Sequence, residues 1–176
     1  SGTSNSTSWD YAFSSDGVYL WNAETCDTNN NCAFNSTNRT ITIDTTAPTI
    51  TSPANASINY ASPLNVDFDA SDTTSGVDTS TWAVNDTTNF QINSTGGLTN
   101  KTPLSANTYV MNVTVRDNAN NLAVSIYKVD VNKISPTLSL SVTNATYPTV
   151  GTINASESNA GDSDLNYTLY VDGAFH

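Results

Sequence analysis

Residues 17–50 open with Gly17-Val-Tyr-Leu-Trp-Asn22, pass through Cys26-Asp27 and Asn29-Asn-Asn31, and end a β-rich run on Ala47-Pro-Thr-Ile50. Residues 107–138 follow the same plan: Asn107-Thr-Tyr-Val-Met-Asn112, then Arg116-Asp117, Asn120-Asn121, and a β-rich run ending on Ser135-Pro-Thr-Leu138. Tyr19 and Tyr109, Asn22 and Asn112, Asp27 and Asp117, and Asn31 and Asn121 are each 90 positions apart, while Pro48 and Pro136 are 88 apart. Pro63 and Ala70-Ser71 recur as Pro148 and Ala155-Ser156, 85 positions on. A period of this size exceeds that of solenoid repeats and fits a whole small β domain. The chain therefore reads as a segment of a domain array.

Composition narrows the class. The chain has 176 residues and a net charge of −11, yet only 12% of its residues are charged. Asn, Ser and Thr fill 74 positions, a bias that on its own would suggest disorder. Alternating Val, Ile, Leu, Tyr and Trp at strand spacing argue against that. Lys, Glu, Gln, Arg and Leu are scarce, and no window keeps an i, i+3, i+4, i+7 apolar spacing, so helix is nearly excluded. Fourteen of the sixteen acidic residues are Asp, which favours turns. Five scattered Lys and Arg are too few for a nucleic-acid footprint. No apolar run reaches the length of a membrane span.

The pattern predicts an all-β chain of tandem immunoglobulin-like sandwiches, one complete and two partial. Thr45-Thr-Ala-Pro48 and Asn132-Lys-Ile-Ser-Pro136 read as linkers, because Pro holds its predecessor extended and interrupts strand pairing. Residues 47–133 form the complete domain. Its strands are expected near 48–52, 63–70, 80–85, 89–93, 97–102, 108–117 and 122–131. Leu64, Val66, Phe68 and Ala70 share one face of the second strand, Phe90 and Ile92 mark the fourth and Leu98 the fifth, and Trp82, Val84, Tyr109, Met111, Val113 and Val115 point inward. Seven short strands separated by turns are the signature of that fold class. Residues 1–46 hold the closing strands of a preceding domain, at 8–13, 17–26 and 32–44. Residues 134–176 hold the opening strands of a following one, near 137–143, 148–155 and 164–171. Unpaired half-sandwiches invite strand pairing. The expected partners are other copies or neighbouring repeats, joined head-to-tail into a filament, with Ile41, Ile43, Leu138 and Leu140 in the contact.

Cys26 and Cys32 face each other across a hairpin loop, close enough for a disulfide that stabilises by about 2 kcal/mol in the chain-entropy model. The alternative is a pair of free thiols in a reducing compartment. A zinc site lacks ligands. Asn-x-Ser/Thr acceptors begin at Asn5, Asn35, Asn38, Asn55, Asn85, Asn93, Asn100, Asn112, Asn144, Asn154 and Asn166. Chance in this composition supplies about seven, so placement weighs more than number. Asn112 lies on the outward face of its strand, Asn85 closes one, and Asn93 and Asn100 flank a Gly-Gly turn. Catalysis finds no constellation. The single histidine is His176, so no Ser-His-Asp or Cys-His set exists. No cofactor is expected. Asp72, Asp78 and Asp117 are minor Ca²⁺ candidates at loop positions of one domain end, weighed against Asp capping its own turn.

Asp44-Thr-Thr-Ala-Pro-Thr-Ile50 and Val115-Arg-Asp-Asn-Ala-Asn-Asn-Leu-Ala123 resemble the prokaryotic Ig-like repeats of large surface proteins. Tyr19-Leu-Trp-Asn22, with Cys26-Asp27 and Asn31-Cys32, is similar to variants in archaeal cell-surface proteins. That resemblance implies an exported, often N-glycosylated protein at the extracellular face. Asn120 stands where the family usually has Gly; Asn also tolerates a left-handed backbone. The expected function is structural and non-enzymatic: a surface filament, stalk or coat. Two alternatives remain: an adhesin binding a partner or carbohydrate through its loops, with Trp9, Tyr11 and Phe13 as a possible patch, or a spacer module of a larger secreted enzyme.

Overall fold

A computed structural model describes residues 6–135, 137–143, 152–158, 168–171 and 174–175. The regular structure among them is entirely β, as the composition requires. Four strands come first: β1 (Gly17–Trp21), β2 (Glu24–Cys26), β3 (Cys32–Phe34) and β4 (Arg39–Ile43). Nine follow in a closed body: β5 (Thr49–Thr51), β6 (Ala56–Asn59), β7 (Asn65–Asp67), β8 (Asp69–Ser71), β9 (Val77–Val84), β10 (Phe90–Ile92), β11 (Gly97–Asn100), β12 (Thr108–Asp117) and β13 (Leu122–Asn132). Then come β14 (Thr137–Thr143), β15 (Thr152–Ser158), β16 (Tyr170–Val171) and β17 (Ala174–Phe175).

The central body is a β-sandwich. One layer is the four-stranded sheet β6-β13-β12-β9; the other is built from β10-β11-β7 and the pair β5-β8. β7 and β8 are two halves of one extended run, divided at Phe68, whose N–H leaves the ladder and donates to Gly96 O at 3.0 Å. Gly96 has φ +86°, and a Cβ there would strike the Phe68 carbonyl, so this crossing demands glycine. β5 pairs antiparallel with β8 in one layer and β6 pairs parallel with β13 in the other. The chain changes layers at Ser52-Pro53-Ala54, where proline cannot continue a ladder.

Period-2 alternation builds the core. Along β12, Met111, Val113 and Val115 are buried while Val110 and Asn112 face out; along β13, Ala123, Tyr127, Val129 and Val131 are buried while Val124 and Ile126 face out. Opposite them lie Leu64, Phe68, Phe90, Leu98 and Leu104. Phe68 stands edge-on to Tyr127 with ring centroids 5.1 Å apart, and Phe90 stands edge-on to Tyr109 at 5.7 Å. The Tyr127 hydroxyl leaves the core to donate to Ala54 O at 3.1 Å.

Most expected strands appear within a few residues of their predicted bounds. One expected strand is absent and one strand was not expected. Residues 8–13 form no strand: Tyr11, Phe13 and Tyr19 stack on one another instead, at 4.9 and 4.6 Å, and side-chain packing replaces the ladder. β6 escaped notice because only Ala56 and Ile58 alternate across its four residues. Of the strand expected at 148–155, residues 152–155 lie in β15, and 148–151 lie outside the described residues. The strand expected at 164–171 is observed only as Tyr170–Val171, and 164–167 lie outside the described residues.

Replacing Phe68 by Ala removes a fully buried ring and should cost roughly 3–5 kcal/mol in urea unfolding, whereas Ile126→Ala, at a position 71% exposed, should stay within about 0.5 kcal/mol.

Candidate functional site

The hairpin between β12 and β13 turns on one carboxylate. Asp117 Oδ1 accepts the N–H groups of Ala119 and Asn121 at 2.9 and 2.8 Å, and Oδ2 accepts Asn121 Nδ2 at 2.8 Å. Asn120 takes φ +73° to close the turn, a left-handed conformation that Asn tolerates. Burial pushes the Asp117 carboxyl up, but the bonds from the Asn121 amide and the turn's backbone N–H groups outweigh it, and its pKa lies below the ordinary 3.8.

The hairpin 90 residues earlier repeats this geometry. Asp27 Oδ1 accepts Asn29 and Asn31 N–H at 2.8 and 2.9 Å, and Oδ2 accepts Asn31 Nδ2 at 2.8 Å. Asn30 has φ +63°. The Asn31 amide in particular holds the Asp27 carboxyl below its usual range. Strand register also carries over. Tyr109 faces Val129 and Arg116 faces Leu122 in one hairpin; Tyr19 faces Ile41 and Cys26 faces Cys32 in the other. Each tyrosine hydroxyl donates to a serine carbonyl four residues upstream: Tyr109 to Ser105 O at 3.1 Å, Tyr19 to Ser15 O at 2.7 Å. Cys26 and Cys32 form a disulfide at the position of the Arg116–Leu122 pair, with Cα atoms 4.0 Å apart.

The Asp117 turn also grips the linker that precedes the sandwich. Asn121 Nδ2 donates to Asp44 O at 3.1 Å and lies 3.4 Å from Thr46 O. Asp44 is itself buried: Oδ1 accepts Thr46 N–H and Oδ2 accepts Ser75 N–H, both at 3.0 Å. On the outer side, Asp16 accepts Thr46 Oγ1 at 2.8 Å and Thr45 N–H at 3.0 Å, bonds that lower its pKa. Asp72 Oδ1 collects the N–H groups of Thr74, Ser75 and Gly76. Asp44, Asp72 and Asp117 thereby present oxygens within 4.8 Å of one another. This corrects the expected trio. Asp72 and Asp117 meet, but their third member is Asp44, while Asp78 points to Ser80, accepting its N–H and hydroxyl at 3.0 and 2.6 Å. Each carboxylate in the group already accepts backbone N–H groups, which accounts for its position, and we assign no metal to it. Asp44 escaped the sequence reading because its sequence context is a linker; only the fold brings it to Asp117.

The glycan acceptors differ sharply. Asn112 is exposed, and its backbone N–H, not its side chain, meets the Asn85 side chain at 2.8 Å. Asn35, Asn38, Asn55, Asn85, Asn93 and Asn154 are exposed too. In Asn35, Asn55, Asn85 and Asn93 the carbonyl oxygen is the bonded atom, accepting Thr37, Lys128, Asn112 and Thr95 N–H respectively. Asn100 is half-buried, and both ends of its amide are bonded: Oδ1 accepts Leu64 N–H at 2.7 Å and Nδ2 donates to Thr102 O at 2.8 Å, which leaves it less accessible than the exposed acceptors. Asn5, Asn144, Asn166 and His176 lie outside the described residues.

A groove of about 1130 Å³ opens on the first hairpin, lined by Trp9, Tyr11, Phe13, Tyr19, Trp21 and Ile41 among others. Trp9 and Tyr11 are 69% and 76% exposed. No helix among the described residues is long and apolar enough to cross a membrane. Comparison with models of known protein families finds no match, nor does comparison with curated proteins.

Asn121→Ala removes the amide that joins turn and linker, and should cost roughly 1.5–3 kcal/mol, the range for hydrogen bonds to a charged group. Acid tests the same turn. The carboxyls of Asp16, Asp27 and Asp117 sit below 3.8 in the fold, so the unfolded chain takes up protons first as pH falls. Their stabilisation is complete well above 3.8 and is lost as pH drops through the lowered folded-state values. Thermal unfolding across this range should show a falling Tm on the acid side, with a shallower slope in Asp117→Asn.

Proposed function

We propose that this chain is a structural, non-enzymatic segment of an exported surface protein, a filament, stalk or coat built from tandem, N-glycosylated Ig-like domains. The repeated turn carries this reading. Two hairpins 90 residues apart share an Asp-Asn turn, a strand register and a tyrosine-to-serine hydrogen bond, as copies of one module would. The strand order β5-β8/β7-β11-β10 over β9-β12-β13 supports an Ig-like assignment. The tyrosine bond to upstream backbone at the start of β12 supports it as well. The grip of Asn121 on Asp44 and Thr46 suits a stalk, because it stiffens the join between successive modules. The disulfide and the outward acceptors favour an oxidising, extracellular setting.

A specific observation favours a second reading, an adhesin. The exposed aromatic groove of Trp9, Tyr11 and Trp21 would suit a sugar ring or an apolar partner.

Glycopeptide mass spectrometry on material from the native source tests the main reading. Asn112, Asn85 and Asn93 should carry glycan and Asn100 should be bare. Finding every acceptor bare would refute the glycoprotein reading.

A further inference from the structure

The outward face of β12 and β13 carries an apolar strip, on a sandwich whose two layers are both present. Val110, Leu122, Val124 and Ile126 are 61%, 45%, 54% and 71% exposed. Together they expose on the order of 400 Å², about half of what one partner buries in a stable protein–protein contact. The strip is too small to hold a second folded protein by itself. It is large enough for a small apolar body that another bond already keeps in place.

Strand register puts an acceptor asparagine in the middle of the strip. Asn112 lies opposite Ile126, with Val110 opposite Lys128 on one side and Thr114 opposite Val124 on the other. Both backbone groups of Asn112 turn away from β13: its N–H donates to Asn85 Oδ1 at 2.8 Å, and its carbonyl accepts Asn85 N–H at 3.2 Å. Asn112 and Ile126 are therefore a non-hydrogen-bonded pair, the kind whose Cα atoms stand about 4.5 Å apart and whose side chains are closest. The Asn112 side-chain amide makes no hydrogen bond among the described residues.

Charge and surroundings narrow the occupant. The two cations of these outward rows are committed at its ends: Arg116 Nη1 donates to Asn120 O at 2.8 Å, and Lys128 pairs with Asp130 at 2.7 Å. The surface between them is neutral and rich in methyl groups, which suits the C–H face of a neutral pyranose. Exposed acceptors also border the strip. Asn85 stands on its β9 side, and Asn55 stands on its β6 side, where Oδ1 accepts Lys128 N–H at 3.0 Å.

We propose that the first sugars of a glycan on Asn112 fold back over Ile126, Val124 and Val110 and cover the strip. The inference rests on the glycoprotein reading above and adds where the sugar lies. The linkage joins Asn112 Nδ2 to the anomeric carbon of an activated sugar donor; the donor's phosphate carrier leaves, and the amide gives up one proton. The pyranose then covers methyl groups that water would otherwise surround.

Hydroxyl-radical footprinting, read by mass spectrometry, tests this on the whole chain. Material from the native source is compared with the same chain from a host that attaches no N-glycan. Ile126 and Val124 should be oxidised several-fold more slowly in the glycosylated chain. Asn112→Gln, made in the glycosylating source, should restore the rate of the bare chain. Thr87→Ala, which removes the Asn85 acceptor but keeps the Asn85 amide, should not. Asn112→Gln and Ile126→Ala should each lower Tm by about 2–4 °C in the glycosylated chain and leave it nearly unchanged in the bare one. Equal oxidation of Ile126 with and without the Asn112 glycan overturns the proposal and leaves the glycoprotein reading intact. A bare Asn112 beside other occupied acceptors does the same. Protection that survives Asn112→Gln also overturns it, since a protein or lipid surface would then cover the strip. The glycoprotein reading itself fails only when every acceptor is bare, and the proposal fails with it.

Discussion

The carboxylate of Asp117 organises more of this protein than any apolar contact. It takes two backbone N–H groups and one side-chain amide, and in doing so sets where β12 ends and β13 begins. A turn fixed at one residue fixes the pairing of the strands behind it, and because side chains alternate, a slip of one would turn Tyr127 and Val129 out of the core. The carboxylate is 2% exposed, and its hydrogen bonds make that burial tolerable. The same amide that satisfies it reaches the linker, so hairpin geometry and linker position are coupled through Asn121.

That coupling fixes the segment that leads into the sandwich. A flexible linker would let neighbouring modules swing freely. Here Asp44 turns inward, its carboxylate bonded to Ser75 and Thr46, and Asp16 holds Thr45 and Thr46 from the other side. The join is built from short, uncharged donors on buried or half-buried acceptors, which salt screens far less than exposed ion pairs.

The polar surface uses asparagine in two ways. In the exposed acceptors Asn35, Asn55, Asn85 and Asn93 the side-chain oxygen, not the nitrogen, makes the structural hydrogen bond. Asn100 shows the opposite use of the same residue type: both ends of its amide hold the start of the β7 run and the end of β11 in place. Identical three-residue motifs therefore have opposite fates, decided by what the fold does with the amide.

The sequence alone carried the all-β class, the inward set from Leu64 to Val115 and the facing cysteines, because alternation and turn chemistry are local properties. It also carried the repeat, since Asp27 and Asp117 sit in the same sequence pattern. What it lacked was anything non-local. β6 is too short to show a period, and its parallel place beside β13 depends on a crossing between layers. Residues 8–13 alternate like a strand, but Phe13 stacks on Tyr19 instead of pairing with a neighbour. Asp44 and Asp117 lie 73 positions apart, and no pattern within either segment announces their meeting. Local sequence sets what each segment can become; which segments meet is settled by burying Phe68, Tyr127 and their neighbours together, and the carboxylate group at the junction follows from that packing.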